Sequence, residues 1–137
     1  MNKFLLVVVM AFLAASVVGL QAADITPFLK VTNYTSHMKT ATANLEKIFM
    51  NDQIEFTGEA RKIYIEAWKT CQSRTSYPTG SGSLAYMASS NTRDALNKAV
   101  EALDTLVYDQ LVKFKNPEAK QLYREALKRM RLAAECL

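Results

Sequence analysis

Histidine and cysteine, which build most metal and nucleophilic sites, are scarce in this chain. Its 137 residues include one histidine, His37, and two cysteines, Cys71 and Cys136. No Cys-x-x-Cys, His-x-x-x-His or Glu-x-x-His pair supplies ligands from one helix face, and no Cys-x-x-Cys-His motif offers an attachment point for haem. We therefore expect no metal and no other cofactor, and we interpret His37 as a surface or boundary residue.

The motifs of enzyme chemistry are missing as well. A nucleophile needs a base beside it, and the chain has neither a second histidine nor a Gly-x-Ser-x-Gly elbow. The segment Thr79-Gly80-Ser81-Gly82 is rich in glycine but lacks the lysine and the following helix start of a phosphate-binding loop. Glu101 and Asp104 stand one helical turn apart, and we interpret them as solvent-facing charges. The sequence predicts a protein without enzymatic activity.

Long apolar runs are confined to the N-terminus. Lys3 gives a short positive start, an almost unbroken apolar segment covers residues 4–18, and small residues follow up to Ala23. This order is the anatomy of a secretory signal peptide. A membrane anchor is the alternative, but a spanning helix needs roughly 20 apolar residues, and this run is shorter. We predict a signal peptide over residues 1–22, and a secreted, extracellular protein.

The mature chain, residues 23–137, has the size of a single domain. Without Lys3 it carries 16 basic and 13 acidic residues, since the whole chain has 17 and 13. This mildly basic balance suits weak attraction to acidic surfaces and lies far from that of a dedicated nucleic-acid binder. In an exported chain two cysteines predict one disulfide, Cys71–Cys136. The sequon at Asn33 is a candidate glycosylation site.

Apolar residues recur at helical spacing in four segments. A capped proline at Pro27 starts a first helix over residues 27–50, and Asp52 with Glu55 has the form of a capping box for a second helix over residues 53–74. Residues 73–83 read as a loop, because Pro, Gly and Ser dominate them. A third helix is predicted over residues 92–115, and Asn116-Pro117 starts a fourth that continues to Leu137.

These segments predict an all-α fold, an antiparallel four-helix bundle. No alternating strand pattern and no internal repeat is evident. In such a bundle the second and fourth helices end at the same pole, which brings Cys71 and Cys136 near each other. A disulfide closing this long loop would contribute about 4 kcal/mol on the chain-entropy model.

Basic residues on the fourth helix form the first candidate site. Lys120, Arg124, Lys128 and Arg131 follow one another at spacings of four, four and three, and we call this face the basic ridge. It is the predicted contact surface for an acidic extracellular protein or a sulfated glycan. A solvated face, balanced by nearby carboxylates, is the alternative. We expect no nucleic-acid partner and no stable membrane insertion, because each apolar helix face is needed for the core.

Aromatic residues form the second candidate site. Tyr64 and Trp68 share a helix close to the flexible loop that carries Tyr77. Tryptophan and tyrosine are enriched in binding hot spots, so this region is the predicted place for a contact site or a small apolar pocket. The alternative is that these side chains are ordinary core and boundary residues.

The signal over residues 1–22, the mature length, the basic character and the four helical segments resemble those of small helical salivary proteins of blood-feeding insects, the anophensin-like group. That resemblance implies inhibition of a host defence cascade, complement or contact/coagulation, by protein–protein contact, and it assigns no particular residue. The favoured function is a secreted, non-enzymatic binding protein. A small carrier of a lipophilic ligand held between helices and a structural protein without a specific ligand are the alternatives.

Overall fold

The computed structural model describes residues 25–137, so the predicted signal peptide over residues 1–22 lies outside the described residues. The chain divides into two compact units, Met1–Lys30 and Val31–Leu137. Of the first unit, the structure describes only residues 25–30, which are helical and mostly exposed. No helix within residues 25–137 is long and apolar enough to cross a membrane.

The described chain is mostly helical, with four helices and a small two-stranded sheet. Helix α1 covers Ile25–Met50, and strand β1 (Ile54–Phe56) leads from it to helix α2, Ala60–Ser73. Helix α3 covers Ser83–Tyr108, and strand β2 (Val112–Phe114) leads from it to helix α4, Pro117–Glu135. The prediction of four helices is therefore confirmed, and the two strands are an addition to it.

The second helix begins later than the sequence predicts. Asp52 lies in a turn with a φ of 54°, and Glu55 lies in β1, so the two residues do not form a capping box. Helix α2 begins only at Ala60, after Glu59, whose side chain makes no capping hydrogen bond. The apolar spacing around Phe56 predicts a helix, but the residues form a strand, and a strand of three residues is too short to show an alternating pattern.

The third helix is shifted towards the N-terminus. It begins at Ser83, directly after the glycine-rich loop, and it ends at Tyr108. Residues 109–115, predicted as helix, contain a turn at Gln110 and then β2. The fourth helix is confirmed at its start, where the Asn116 side chain accepts a hydrogen bond from the Ala119 backbone N–H and Pro117 occupies the first turn.

Residues 25–135 contain an internal repeat that the sequence reading missed. Helices α1 and α3 both have 26 residues, and a shift of 58 positions carries Ile25 to Ser83 and Met50 to Tyr108. The same shift carries Ile54–Phe56 to Val112–Phe114. The chain therefore contains two α-β-α halves, α1-β1-α2 and α3-β2-α4.

The backbone hydrogen bonds repeat in the same way. The Gln53 N–H donates to the Ile48 carbonyl at 3.0 Å, and the Leu111 N–H donates to the Leu106 carbonyl at 2.9 Å. Between the halves, the antiparallel strands pair with Glu55 opposite Lys113 at the centre. That register is symmetric about its centre, because Ile54 faces Phe114 and its counterpart Val112 faces Phe56. The strands are therefore related by a local two-fold axis.

The repeat is most visible in sequence where α2 and α4 begin. The segments Glu59–Lys69 and Glu118–Lys128 are identical at six of eleven positions, namely Glu, Ala, Tyr, Glu, Ala and Lys in that order. Here the shift is 59 positions, one more than between α1 and α3, because the connections before the two helices differ by one residue. That change of register, together with different large residues elsewhere, hides the repeat.

The repeated tyrosines occupy equivalent places in the core. Both Tyr64 and Tyr123 are fully buried, and their rings stack with centroids 6.2 Å apart. The Tyr64 hydroxyl donates to the Leu45 carbonyl at 2.6 Å, and the Tyr123 hydroxyl donates to the Leu103 carbonyl at 2.6 Å. Each ring thus anchors its own half to the preceding long helix while it packs against the other half.

The predicted disulfide Cys71–Cys136 is wrong for this structure, which forms none. Cys71 is fully buried on the core face of α2. Cys136 is half-buried after α4, and its thiol donates to the Leu132 carbonyl at 3.4 Å. Ends that lie at one pole do not fix the distance and direction that an S–S bond requires. Burial raises the pKa of the Cys71 thiol to about 12, so little reactive thiolate is present near neutrality.

The two turns that precede the strands allow a test of the repeat. Asp52 and Gln110 occupy equivalent positions with φ of 54° and 57°, a left-handed conformation that costs most residues roughly 1–2 kcal/mol and glycine much less. We expect Gln110→Gly to raise the free energy of unfolding by about 0.5–1 kcal/mol. Asp52→Gly should give less, because aspartate tolerates this conformation and Asp52 pairs with Lys115 at 2.9 Å. Urea denaturation measures both changes, and a less stable Gln110→Gly protein would contradict the strain.

Candidate functional site

The basic ridge is exposed along α4. All four of its residues lie on the surface. Arg131 forms an ion pair with Asp104 of α3. None of the ion pairs within residues 25–137 involves Lys120, Arg124 or Lys128. The ridge therefore presents three positive charges without an ion-pair partner among residues 25–137 and one that is paired.

Two carboxylates on the same helix as the ridge have ion-pair partners outside the ridge. Glu118 pairs with Lys47 of α1 at 3.5 Å, and Glu125 pairs with Arg129 at 2.8 Å. The hydrogen bond from Arg129 lowers the pKa of Glu125. Both carboxylates therefore form their ion pairs with cations outside the ridge, although the Lys128 charge also contributes to the lowered pKa of Glu125.

His37 belongs to the same cluster as Arg129. Its Nδ1 lies 3.1 Å from Nη1 of Arg129, and its ring is half-buried on α1. Partial burial, followed by the neighbouring Arg129 charge, lowers the pKa of His37. A neutral imidazole that accepts a hydrogen bond from Arg129 is the arrangement that these contacts favour, and it leaves His37 at the boundary between the core and the surface.

A groove runs between α3 and α4, and we call it the α3–α4 groove. Its volume is about 670 Å³, and the ridge residues Lys120, Arg124 and Arg131 line its α4 side. Glu101 and Asp104 line its α3 side. Its floor is apolar, with contributions from Val100, Val107, Phe114, Tyr123 and Leu127. The structure therefore brings three of the four ridge residues to one cavity and leaves Lys128 beside it.

A second groove of similar size, the α2–α3 groove, is more uniformly apolar. It has a volume of about 650 Å³ and lies between α2 and α3. Four alanines and three larger aliphatic side chains line much of it, namely Ala67, Ala95, Ala99, Ala102, Ile63, Leu106 and Leu111. The small side chains let the helices approach without filling the surface between them.

The three aromatic residues predicted as a site are divided between two clusters. Tyr64 is buried, and Trp68 is half-buried against Phe49, with ring centroids 5.6 Å apart. Tyr77 instead packs edge-on against Tyr34 at 5.5 Å, and its hydroxyl donates to the Cys136 carbonyl at 3.4 Å. Neither of the two large grooves is lined by Trp68.

The remaining candidate residues are placed as follows. Asn33 is exposed on α1, so the sequon presents its asparagine to solvent, and its use stays a prediction. The Trp68 indole N–H is buried without a hydrogen-bond partner. Among residues 25–137, no group of three His, Cys, Asp or Glu side chains is placed to hold a metal ion.

Comparison with known proteins gives no match at any level. No protein-family model matches the chain, no curated protein is similar to it in sequence, and no solved structure is similar to it in fold.

Proposed function

We propose that this chain is a secreted, non-enzymatic binding protein whose basic ridge contacts an acidic extracellular protein or a sulfated glycan. The observation that carries the proposal is the ridge itself. Lys120, Arg124 and Lys128 are exposed on one helix face and have no ion-pair partner among residues 25–137. Exposed charges of one sign that have no ion-pair partner attract a polyanion and speed its association.

The rest of the molecule supplies a scaffold for this surface. In the proposed arrangement the four helices form an antiparallel bundle, and α4 is held in it by a buried face. Tyr123 and Met130 on that face are fully buried. A contact surface on a packed helix is pre-organised, so binding costs little conformational entropy. By its resemblance to the anophensin-like group, the proposed biological role is inhibition of a host defence cascade.

A carrier of a small lipophilic ligand is the second candidate function. The α2–α3 groove favours it, because its volume of about 650 Å³ and its aliphatic lining are typical of small-molecule sites. The region around Trp68 is a weaker location, since Phe49 and Tyr64 pack against each other there, with ring centroids 5.9 Å apart.

Charge reversal of the ridge tests the first proposal. We expect the triple variant Lys120→Glu, Arg124→Glu and Lys128→Glu to weaken binding by about tenfold or more. Retention on a heparin column under a salt gradient, and capture of plasma proteins at physiological salt, measure the effect.

A matched control distinguishes the effect of the ridge on binding from the effect of the net charge. Lys39, Lys62 and Lys69 are exposed on α1 and α2, and none of the ion pairs within residues 25–137 involves them. Reversing these three residues changes the net charge by the same amount. Equal losses in both variants, or no loss in the ridge variant, would disprove the ridge as the contact surface.

A further inference from the structure

The two halves of the repeat fill equivalent spaces differently. In the first half, Phe49 packs against Phe56 and Trp68, with ring centroids 6.3 and 5.6 Å away. The guanidinium carbon of Arg61 lies 5.0 Å from the Phe49 centroid, which is cation–π distance. This half is therefore closed on its outer side by the Phe49 and Trp68 rings, which pack at a tilt, with a cation over Phe49.

In the second half two of these rings are absent. The repeat carries Phe56 and Tyr64 to Phe114 and Tyr123, which keep a close ring contact at 5.0 Å. It carries Phe49 to Val107, and Trp68 to Leu127. Val107 remains 40% exposed although it is aliphatic.

The two positions that carry aliphatic residues in place of aromatic rings belong to the floor of the α3–α4 groove. Val107, Leu127, Phe114 and Tyr123 all line it. The groove is thus the space that two aromatic side chains occupy in the first half. Its shape and lining suit a flat ring of the size of phenyl or indole, because the first half closes around such rings with the same tyrosine and phenylalanine.

The charges above this space also differ between the halves. The repeat carries Arg61 to Lys120, so a cation is retained above the ring position. It carries Ile65 to Arg124, which adds a second cation on the same side. Lys120 and Arg124 line the groove, and neither takes part in an ion pair within residues 25–137. One cation can lie over a bound ring while both attract a negative group on it.

We propose that the α3–α4 groove binds a small aromatic anion, a compound with one or two fused rings and a carboxylate or sulfate group. The ring takes the place of the missing Phe49 and Trp68 equivalents, on Val107 and Leu127. The anionic group faces Lys120 and Arg124. This site does not depend on the contact of the ridge with a macromolecule, because the ligand is small and its ring enters the groove.

Binding of indole-3-acetate to the mature chain is the first test. We expect saturable binding by calorimetry with a dissociation constant below about 1 mM, and NMR shifts of the Val107 and Leu127 methyl groups. Two analogues separate the contributions. Tryptophol keeps the ring without the charge, cyclohexylacetate keeps the charge without the aromatic ring, and each should bind about fivefold to thirtyfold more weakly. Equal binding of all three compounds, or binding of none, would overturn the proposal.

The repeat itself supplies the second test. The double variant Val107→Phe and Leu127→Trp introduces the residues of the first half, and it should close the groove and reduce indole-3-acetate binding about thirtyfold or more. Its exposed charges are unchanged, so heparin retention should persist. Undiminished indole-3-acetate binding by the double variant would overturn this inference, whether or not heparin retention persists. Heparin retention by the charge-reversed ridge variant tests the proposed function.

A pair of single variants covers the case in which the double variant does not fold. Lys120→Gln removes a charge that lines the groove, and Lys128→Gln removes one from the same helix outside it. We expect Lys120→Gln to weaken indole-3-acetate binding about fivefold to thirtyfold, and Lys128→Gln to change it by less than about twofold. Equal effects of the two variants would overturn the assignment of the site.

Discussion

Replacing Tyr123 with alanine is expected to lower the free energy of unfolding by about 3–5 kcal/mol, the range measured for large aromatic residues in cores. Tyr123 is fully buried, stacks on Tyr64 and contacts Phe114 edge-on. Its removal leaves a cavity where the two halves meet. Urea denaturation followed by circular dichroism measures the loss.

Two further variants make the result specific. Tyr123→Phe keeps the ring and removes only the hydrogen bond to the Leu103 carbonyl, so it should cost about 1 kcal/mol. Tyr108→Ala removes an aromatic ring that is 88% exposed and should change stability by less than about 0.5 kcal/mol. If Tyr123→Ala were no more destabilising than Tyr108→Ala, the core described for α4 would be wrong.

Alkaline pH is expected to destabilise the fold strongly. Burial raises the pKa of Cys71 from 9.0 to about 12 and that of Tyr34 from 10.0 to about 12. Burial also raises the pKa values of Tyr64 and Tyr123. Above pH 9 the unfolded chain therefore releases protons that the folded chain retains.

The sign of the effect follows from this difference. Where the unfolded state binds fewer protons than the folded state, the free energy of unfolding falls as pH rises. The loss begins near pH 9, grows above pH 10 and continues to about pH 12. Each group contributes about 1.4 kcal/mol per pH unit above its unfolded pKa, so the four groups together cost several kcal/mol by about pH 11.

Denaturation midpoints between pH 8 and pH 11 measure this dependence. The double variant Tyr64→Phe and Tyr123→Phe lacks two of the titrating groups and should show a shallower decline. Tyr86→Phe is the matched control, because Tyr86 is 74% exposed. A decline as steep in the double variant as in the control would exclude the Tyr64 and Tyr123 phenols as its cause.

The sequence predicts the parts of the fold that strong local signals encode. Asn116 and Pro117 predict the start of α4, where the Asn116 side-chain oxygen accepts a hydrogen bond from the Ala119 N–H. The end of α1 at Met50 is also predicted correctly. Caps and prolines act on their own helix, so a local pattern is sufficient to find them.

Features that depend on distant partners were not predictable in this way. Strand β1 exists because β2 pairs with it, with Ile54 opposite Phe114. The helix ends predict that Cys71 and Cys136 lie at the same pole of the bundle. Only the structure shows that the Cys71 side chain is buried in the core and that the Cys136 thiol donates to the Leu132 carbonyl of its own helix. The α3–α4 groove lies where the second half has Val107 and Leu127 in place of the aromatic Phe49 and Trp68. This difference is visible only after the two halves have been aligned.

Of the candidate sites, the ridge was the more predictable because exposure and charge follow from helical spacing. Lys120, Arg124 and Lys128 lie on one face in sequence and in structure. The aromatic group was less predictable, since Tyr64 and Tyr77 point into different clusters. The similarity of the segments that begin at Glu59 and Glu118 is the sequence signal that indicates the repeat, and through the repeat the groove.

Two identical chains that pair about a two-fold axis must bear the same surface twice. The paired strands of this protein have that geometry, with Glu55 facing Lys113 across the axis, yet residues 74–82 join the halves in one polypeptide. Substitutions can then accumulate in one half alone. In the first half Phe49 and Trp68 pack against each other, whereas the second half has Val107 and Leu127 at the equivalent positions. A single molecule therefore combines one half whose surface is filled by aromatic rings with another half that has a groove at the same place.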